Sequence, residues 1–150
     1  MGRVKSRGTR PELALRAELE RIGVFGWTAN DALMPYTPDL WFPHALVAVF
    51  VDGCFWHSCP RHGSLPKTRT EEWRVKLART AERDSYRMAW YAVNGCSYVQ
   101  VWEHQDPAAA AQTVADAVRC ALDRVRNPPP QAMPEADSPL MRRLKASRAA

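Results

Sequence analysis

The chain has 150 residues, with 21 Lys and Arg against 16 Asp and Glu, for a formal charge of +5. That length supports one domain with its own core. No run of about 18 apolar residues is present to span a membrane, and no apolar stretch turns the basic opening "MGRVKSRGTR" into a secretory signal, so a cytoplasmic, nucleoid-associated protein is expected. The positive balance favours a polyanionic partner, with Arg3, Lys5, Arg7 and Arg10 at one end and Arg142, Arg143, Lys145 and Arg148 at the other.

In chain order, "TRPELALRAELERIG" predicts a helix. Thr9 is its expected N-cap, Glu12 completes a capping box, Pro11 lies in the first turn and Gly23 stops it. Leu13, Ala17 and Ile22 are read as its apolar face. A weak strand is expected near Trp27. "DLWF" reads as a short strand, Pro43-His44 as a turn, and "ALVAVFVD" as a strand buried on both faces. Residues 54 to 69 form a loop. A long helix follows over roughly 70 to 94, capped by Thr70 and stopped at Asn94-Gly95. Trp73, Leu77, Ala81 and Met88 mark its inner side, and Lys76, Arg79, Arg83 and Arg87 a basic stripe on another. "SYVQVWE" alternates as a strand, and Asp106-Pro107 opens a last helix with the stripe Val114, Val118, Leu122 and Val125. The order α-β-β-β-α-β-α fits one mixed sheet flanked by helices. Residues 1–126 are expected to form the domain, and 127–150, rich in proline and basic residues, a disordered tail.

The densest chemistry lies in "CFWHSCPRH", residues 54 to 62. In a reducing compartment, Cys beside His points to a metal rather than to disulfides, and Cys96 and Cys120, without His neighbours, read as buried thiols. Zinc takes four N or S ligands in a tetrahedron. Cys54, His57, Cys59 and His62 would close such a site locally. If "SYVQVWE" runs parallel beside "ALVAVFVD", His104 arrives next to Cys54, and the set Cys54, Cys59, His62 and His104 becomes available. His57 is then free to move protons. On the residues alone both sets stand open.

Asp39 follows a proline at a strand start, and Asp52 ends the next strand thirteen positions on. If the two strands form a hairpin, Asp39 meets the end of the second strand. A carboxylate with neighbouring carbonyl oxygens is how Mg²⁺ is held, and such a site activates water against a phosphodiester. The arrangement resembles the PD-(D/E)xK nuclease pattern, except that Cys54 stands where that pattern has lysine.

Taken in order, "VKSRGTRPELALR", "PDLWF", "VAVFVDGCFWHSCPRHG", "LPKTRTEEW", "ERD" and "VQVWEH" resemble the very short patch repair (Vsr) endonucleases over roughly residues 4 to 105. The resemblance implies an α/β, restriction-endonuclease-like fold: a mixed central sheet of the PD-(D/E)xK type, flanked by helices, with a structural zinc site. It implies Mg²⁺-dependent nicking of one DNA strand beside the thymine of a T·G mismatch, the product of 5-methylcytosine deamination. By position it assigns zinc to Cys54, Cys59, His62 and His104. It assigns magnesium to Asp39 and the main-chain carbonyl of Val51, and proton movement to His57 with Asp84 beside it. Glu12 stands where the family has a catalytic acid on its first helix. Phe55, Trp56 and Trp73 look like the aromatics that wedge into the base stack, and Lys67 and Arg69 suit phosphate contacts. The expected partner is mismatched double-stranded DNA, bound by a monomer, with a mismatch-repair protein or a DNA methyltransferase as candidate associates. Two other readings stand beside this one: a nuclease of a restriction or DNA-defence system on the same scaffold, and a non-catalytic zinc DNA-binding module.

Overall fold

The computed structural model describes residues 7–128. The tail expected over 127–150 lies, from residue 129 on, outside the described residues, as do Arg3 and Lys5 at the other end. The elements are α1 (Arg10–Arg21), β1 (Thr28–Ala29), β2 (Leu40–Phe42), β3 (Val47–Asp52), α2 (Thr70–Val93), β4 (Ser97–Trp102) and α3 (Pro107–Arg126), the order the sequence implies. The sheet runs β1-β2-β3-β4. β1–β2 and β2–β3 are antiparallel, and β3–β4 is parallel with α2 as the crossover. No helix among the described residues is long and apolar enough to cross a membrane.

β3 explains the layering. Its residues alternate across the sheet. Val47 and Val49 join Leu15, Leu19 and Val114 in the larger core, beneath α1 and α3. Ala48 and Phe50 join Trp41 and Tyr91 in a smaller core beneath α2. A strand buried on both faces needs the unbroken apolar run that this segment has.

β2 is three residues long and β3 six, so the last turn of β3 extends past its antiparallel neighbour. The register pairs Leu40 with Val49; continued by two residues, it puts Pro38, fully buried, opposite Val51. Tyr36 and Thr37, just before it, both hold left-handed φ angles, 62° and 47°. Each such non-glycine conformation costs about 1–3 kcal/mol. The buried Tyr91 hydroxyl helps to hold this turn by donating to the Pro35 carbonyl at 2.8 Å.

Several local expectations are corrected. α1 turns Leu15 and Leu19 inward and leaves Leu13 exposed, because its inner face is set by packing on α3. Thr9 occupies the N-cap without accepting a backbone N–H; its hydroxyl donates to Glu12 at 2.8 Å, and Glu12 also accepts from the Gly8 N–H. Thr70 does not cap α2: Arg69, in a left-handed conformation, stands at the N-cap, and the Thr70 hydroxyl donates back to the Pro66 and Lys67 carbonyls. On α2, Leu77, Arg87 and Tyr91 are buried, while Ala81 and Met88 face outward. α3 is capped as expected, Asp106 accepting from the Ala109 N–H at 2.9 Å; Val114, Val118 and Leu122 of its expected stripe pack on the core beside Ala110, Ala111 and Ala121, and only Val125 is exposed. Cys96 is half-buried and Cys120 exposed, so neither is the buried thiol expected.

Candidate active site

The parallel pairing of β3 and β4 decides which groups meet. Asp52 lies in register with Trp102, so the residues after each strand leave the sheet side by side. The Asp52 carbonyl accepts from the Glu103 N–H at 3.0 Å, and the Glu103 carboxylate accepts from the Cys54 N–H at 2.6 Å. Those two bonds tie the exits together and bring His104 to the 54–62 loop. Cys54 Sγ lies 3.0 Å from His104 Nδ1 and 4.0 Å from His62 Nδ1; Cys59 Sγ lies 3.7 and 3.9 Å from the same atoms. All four ligand atoms fall within 4.8 Å of one another, a cluster that could hold a metal ion. His57 is outside it.

The donor set is built for a cation. Burial, with the adjacent Cys59 thiol, pushes the Cys54 thiol up to about 11. Burial would raise Cys59 too, but the N–H groups of Arg61 and His62 and the neighbouring Cys54 carry it below its usual value. Only a cation between the two sulfurs would let both lose their protons. Zn–S of about 2.3 Å and Zn–N of about 2.0–2.1 Å would set tetrahedral ligand atoms roughly 3.3–3.8 Å apart, inside the 3.0–4.0 Å span between the sulfurs and the imidazole nitrogens. The loop closes tightly to achieve this. The Gly63 N–H donates to the Cys59 carbonyl at 2.7 Å, and a Cβ at Gly63 would lie 2.6 Å from that oxygen. Only glycine fits there.

Beside this cluster lies a cleft of about 550 Å³, with Glu12, Asp39, Asp52, His57 and Arg83 on its walls. Asp39 Oδ2 accepts from the Val51 N–H at 2.7 Å. Since the Asp52 carbonyl points to β4, strand alternation turns both backbone groups of Val51 toward the β2 edge, where Asp39 sits. Burial raises Asp39 to about 6, against the Val51 N–H, which lowers it; Glu12 and Asp52 add to the rise. Glu12 itself is buried, and its oxygens are engaged by Gly8, Thr9 and Arg16.

Folding the chain with Asp39 ionised therefore costs free energy. The folded carboxyl holds its proton up to about pH 6, whereas the ordinary value is 3.8, so the cost is absent below 3.8, grows between the two and is complete above 6. Two pH units correspond to about 3 kcal/mol, reduced to about 1–2 by water reaching the cleft. Asp39→Asn keeps an oxygen for the Val51 N–H and removes the charge. In metal-free buffer its melting temperature should exceed the wild type's by about 3–6 °C at pH 8 and match it at pH 4. A gain of equal size at both values would dissociate the effect from ionisation.

His57 is flanked by two carboxylates and bonded to one of them. Its Nδ1 lies 2.6 Å from Asp84 Oδ2, and since a carboxylate only accepts, Nδ1 carries the proton. Its Nε2 lies 3.6 Å from Asp52 Oδ1. Local sequence patterning missed the group behind it. Arg87, placed in the exposed basic stripe, is buried and donates from both terminal nitrogens to Asp52, at 3.2 and 2.6 Å. Gln100 on β4 adds a third bond at 2.7 Å. The signal was available in part: Ala48, Phe50 and Asp52 share the α2 face of β3, so an acid there must meet a partner from α2.

Phe55, Trp56 and Trp73 pack on one another, with ring centroids 5.2–5.8 Å apart, all half-buried. Lys76 Nζ lies 4.8 Å from the Trp56 ring centroid and 5.0 Å from that of Trp73. Lys67 and Arg69 are exposed, and Arg69 pairs with Glu72. Arg79 and Arg83, on the next turns of α2, have no carboxylate within 4.0 Å among the described residues, so the stripe stays charged as far as the cleft.

Comparison with known proteins gives this geometry a family. The family described as DNA mismatch endonuclease Vsr matches residues 1–61. The type II nicking enzyme V.NaeI of Lentzea aerocolonigenes is 40% identical over 114 residues, covering 73% of this chain and 68% of that protein. The type II nicking enzyme V.XorIIP of Xanthomonas oryzae pv. oryzae is 39% identical over 105 residues, 69% of this chain and 76% of that one. The DNA mismatch endonuclease Vsr of Escherichia coli K12 is 32% identical over 106 residues, 69% of this chain and 66% of its own length. Likeness at that level and over that span shows that the chain belongs to the Vsr family and, with it, is a DNA endonuclease.

Proposed function

We propose that the protein nicks one strand of duplex DNA at T·G mismatches, using a restriction-endonuclease-like fold, a structural zinc and a catalytic magnesium. The observation that carries this reading is the shared cleft: Asp39, fixed to the Val51 backbone, and His57, fixed to Asp84, line the same cavity. Cys54, Cys59, His62 and His104 are the zinc ligands in this reading, and their role is to hold the loop that carries His57. Asp39 and the Val51 carbonyl would hold Mg²⁺, with the buried charge of Glu12 on the cleft wall favouring a cation. When bound, that ion supplies positive charge for the phosphate's pentacovalent transition state and for the leaving 3′ oxygen. His57 Nε2, unprotonated, takes a proton from the attacking water, and Asp84 keeps the ring in the required tautomer.

Phe55, Trp56 and Trp73 form the wedge that enters the base stack beside the mismatch. Unstacking one step costs a few kcal/mol, less at a mismatch, and stacking on an aromatic returns about 1–3 kcal/mol per base. Lys67, Arg69, and Arg79 and Arg83, which have no carboxylate partner among the described residues, suit the phosphate backbone. V.NaeI and V.XorIIP are named as nicking enzymes, which supports single-strand cleavage here.

The test is a strand-specific nicking assay on matched duplexes carrying T·G, 5-methylcytosine·G or plain C·G at one site, each with and without Mg²⁺. The expected result is a nick beside the mismatched thymine only, and only with Mg²⁺. Equal cutting of the plain duplex would replace this reading with a defence nuclease. Salt-sensitive binding without any nick would leave a non-catalytic module.

A further inference from the structure

The nuclease pattern puts a second metal-binding acid near the end of β3, and Asp52 stands there. The structure gives it other work. Its oxygens receive three donors, two from Arg87 and one from Gln100, and the residue is 3% exposed. Its side chain projects to the α2 face of the sheet, whereas Asp39 meets the backbone of Val51 at the β2 edge. A bidentate buried pair with a further amide donor is not a free metal ligand.

Arg87 reaches further. Its guanidinium lies 4.2 Å from the Phe50 ring centroid and 5.5 Å from that of Tyr98, which fixes its plane. The same Nη2 that grips Asp52 lies 3.6 Å from Asp84 Oδ1, a buried oxygen with no hydrogen-bond partner among the described residues. One cation therefore faces both carboxylates that flank His57. Asp84 bonds to Nδ1, while Asp52 stands 3.6 Å from Nε2, beyond hydrogen-bond reach. Asp52 in turn occupies Arg87: without that carboxylate the guanidinium would be free to close on Asp84 Oδ1 and draw Asp84 off His57 Nδ1.

We propose that Asp52, by holding Arg87 away from Asp84, is a positioning residue that lets Asp84 keep the imidazole of His57 in its working orientation, and that it is not a magnesium ligand. This rests on the proposed role of His57.

The experiment compares Asp52→Asn with wild type and His57→Ala, all zinc-loaded, on the duplex the wild type cuts. Asp52→Asn should lower kcat about 10–100-fold, and leave KM for DNA and the half-saturating Mg²⁺ concentration within twofold. In ¹⁵N-detected imidazole spectra, His57 should lose its single Nδ1–H tautomer. A several-fold rise in half-saturating Mg²⁺ would make Asp52 a metal ligand and overturn the proposal, as would an unchanged kcat. If the single variant does not fold, Asp52→Asn with Arg87→Gln restores a neutral hydrogen-bonded pair and leaves no cation to draw on Asp84; kcat within about threefold of wild type with the Nδ1–H tautomer kept supports the proposal, and a loss of about 10–100-fold sinks it. Normal nicking by His57→Ala would remove the role on which the proposal stands. Loss in His57→Ala with none in Asp52→Asn defeats the positioning role alone.

Discussion

Replacing His57 by alanine should cut the nicking rate by two to four orders of magnitude, the usual contribution of a positioned general base, while DNA affinity stays within twofold of wild type. The two quantities separate because of where the ring sits. His57 lies outside the Cys54–Cys59–His62–His104 cluster and is bonded through Nδ1 to Asp84. The aromatic cluster and the basic stripe, which are assigned to binding, do not depend on its imidazole. Single-turnover cleavage, fluorescence anisotropy with Ca²⁺ in place of Mg²⁺, and zinc content by atomic absorption measure the three properties on one preparation. A variant that has lost both zinc and binding would show that the residue serves the fold instead.

Removing the metal from the four-residue cluster should have a comparably large effect by a different route. The larger core, with Leu15, Leu19, Val47, Val49 and Val114, is built from elements outside the ligand loop. Chelation, or Cys59→Ala, should therefore leave helix and sheet content near wild type by far-ultraviolet circular dichroism and lower the melting temperature by about 10 °C or more. The main loss is local. Residues 54 to 62 carry His57 and two of the three aromatics proposed as the wedge, between the proposed zinc ligands, so activity should fall more than 100-fold and return when zinc is restored to the chelated wild type. Structural zinc in small motifs is worth on the order of 10 kcal/mol, ample to order one loop. Full nicking by metal-free protein would show that the loop holds its shape without the ion.

Much of this arrangement was readable from the chain because its signals are local or follow from topology. The apolar run ending at Asp52 could only be a buried strand. Asp106-Pro107 could only begin a helix. A parallel return of "SYVQVWE" brings His104 to Cys54 by geometry alone, and the structure shows that return. What escaped depends on partners distant in sequence. Arg87 shares its helical spacing with Arg79 and Arg83, and nothing within α2 reveals that an acid 35 residues earlier will draw it inside. Leu13 and Leu15 are equally apolar, and packing on α3 decides between them. Met88 faces out because the neighbouring Arg87 faces in.

The hairpin edge has a consequence that no charged residue conveys. Pro38, opposite Val51 when the register is continued, has no amide hydrogen. The continued register would aim an amide hydrogen at that position toward the Val51 oxygen and lengthen the ladder by one bond. The lone pairs of that oxygen would then serve the sheet rather than whatever enters the cleft. Specificity for chemistry at this edge is written partly as a missing atom, and a substitution that adds nothing but a hydrogen-bond donor would be enough to seal it.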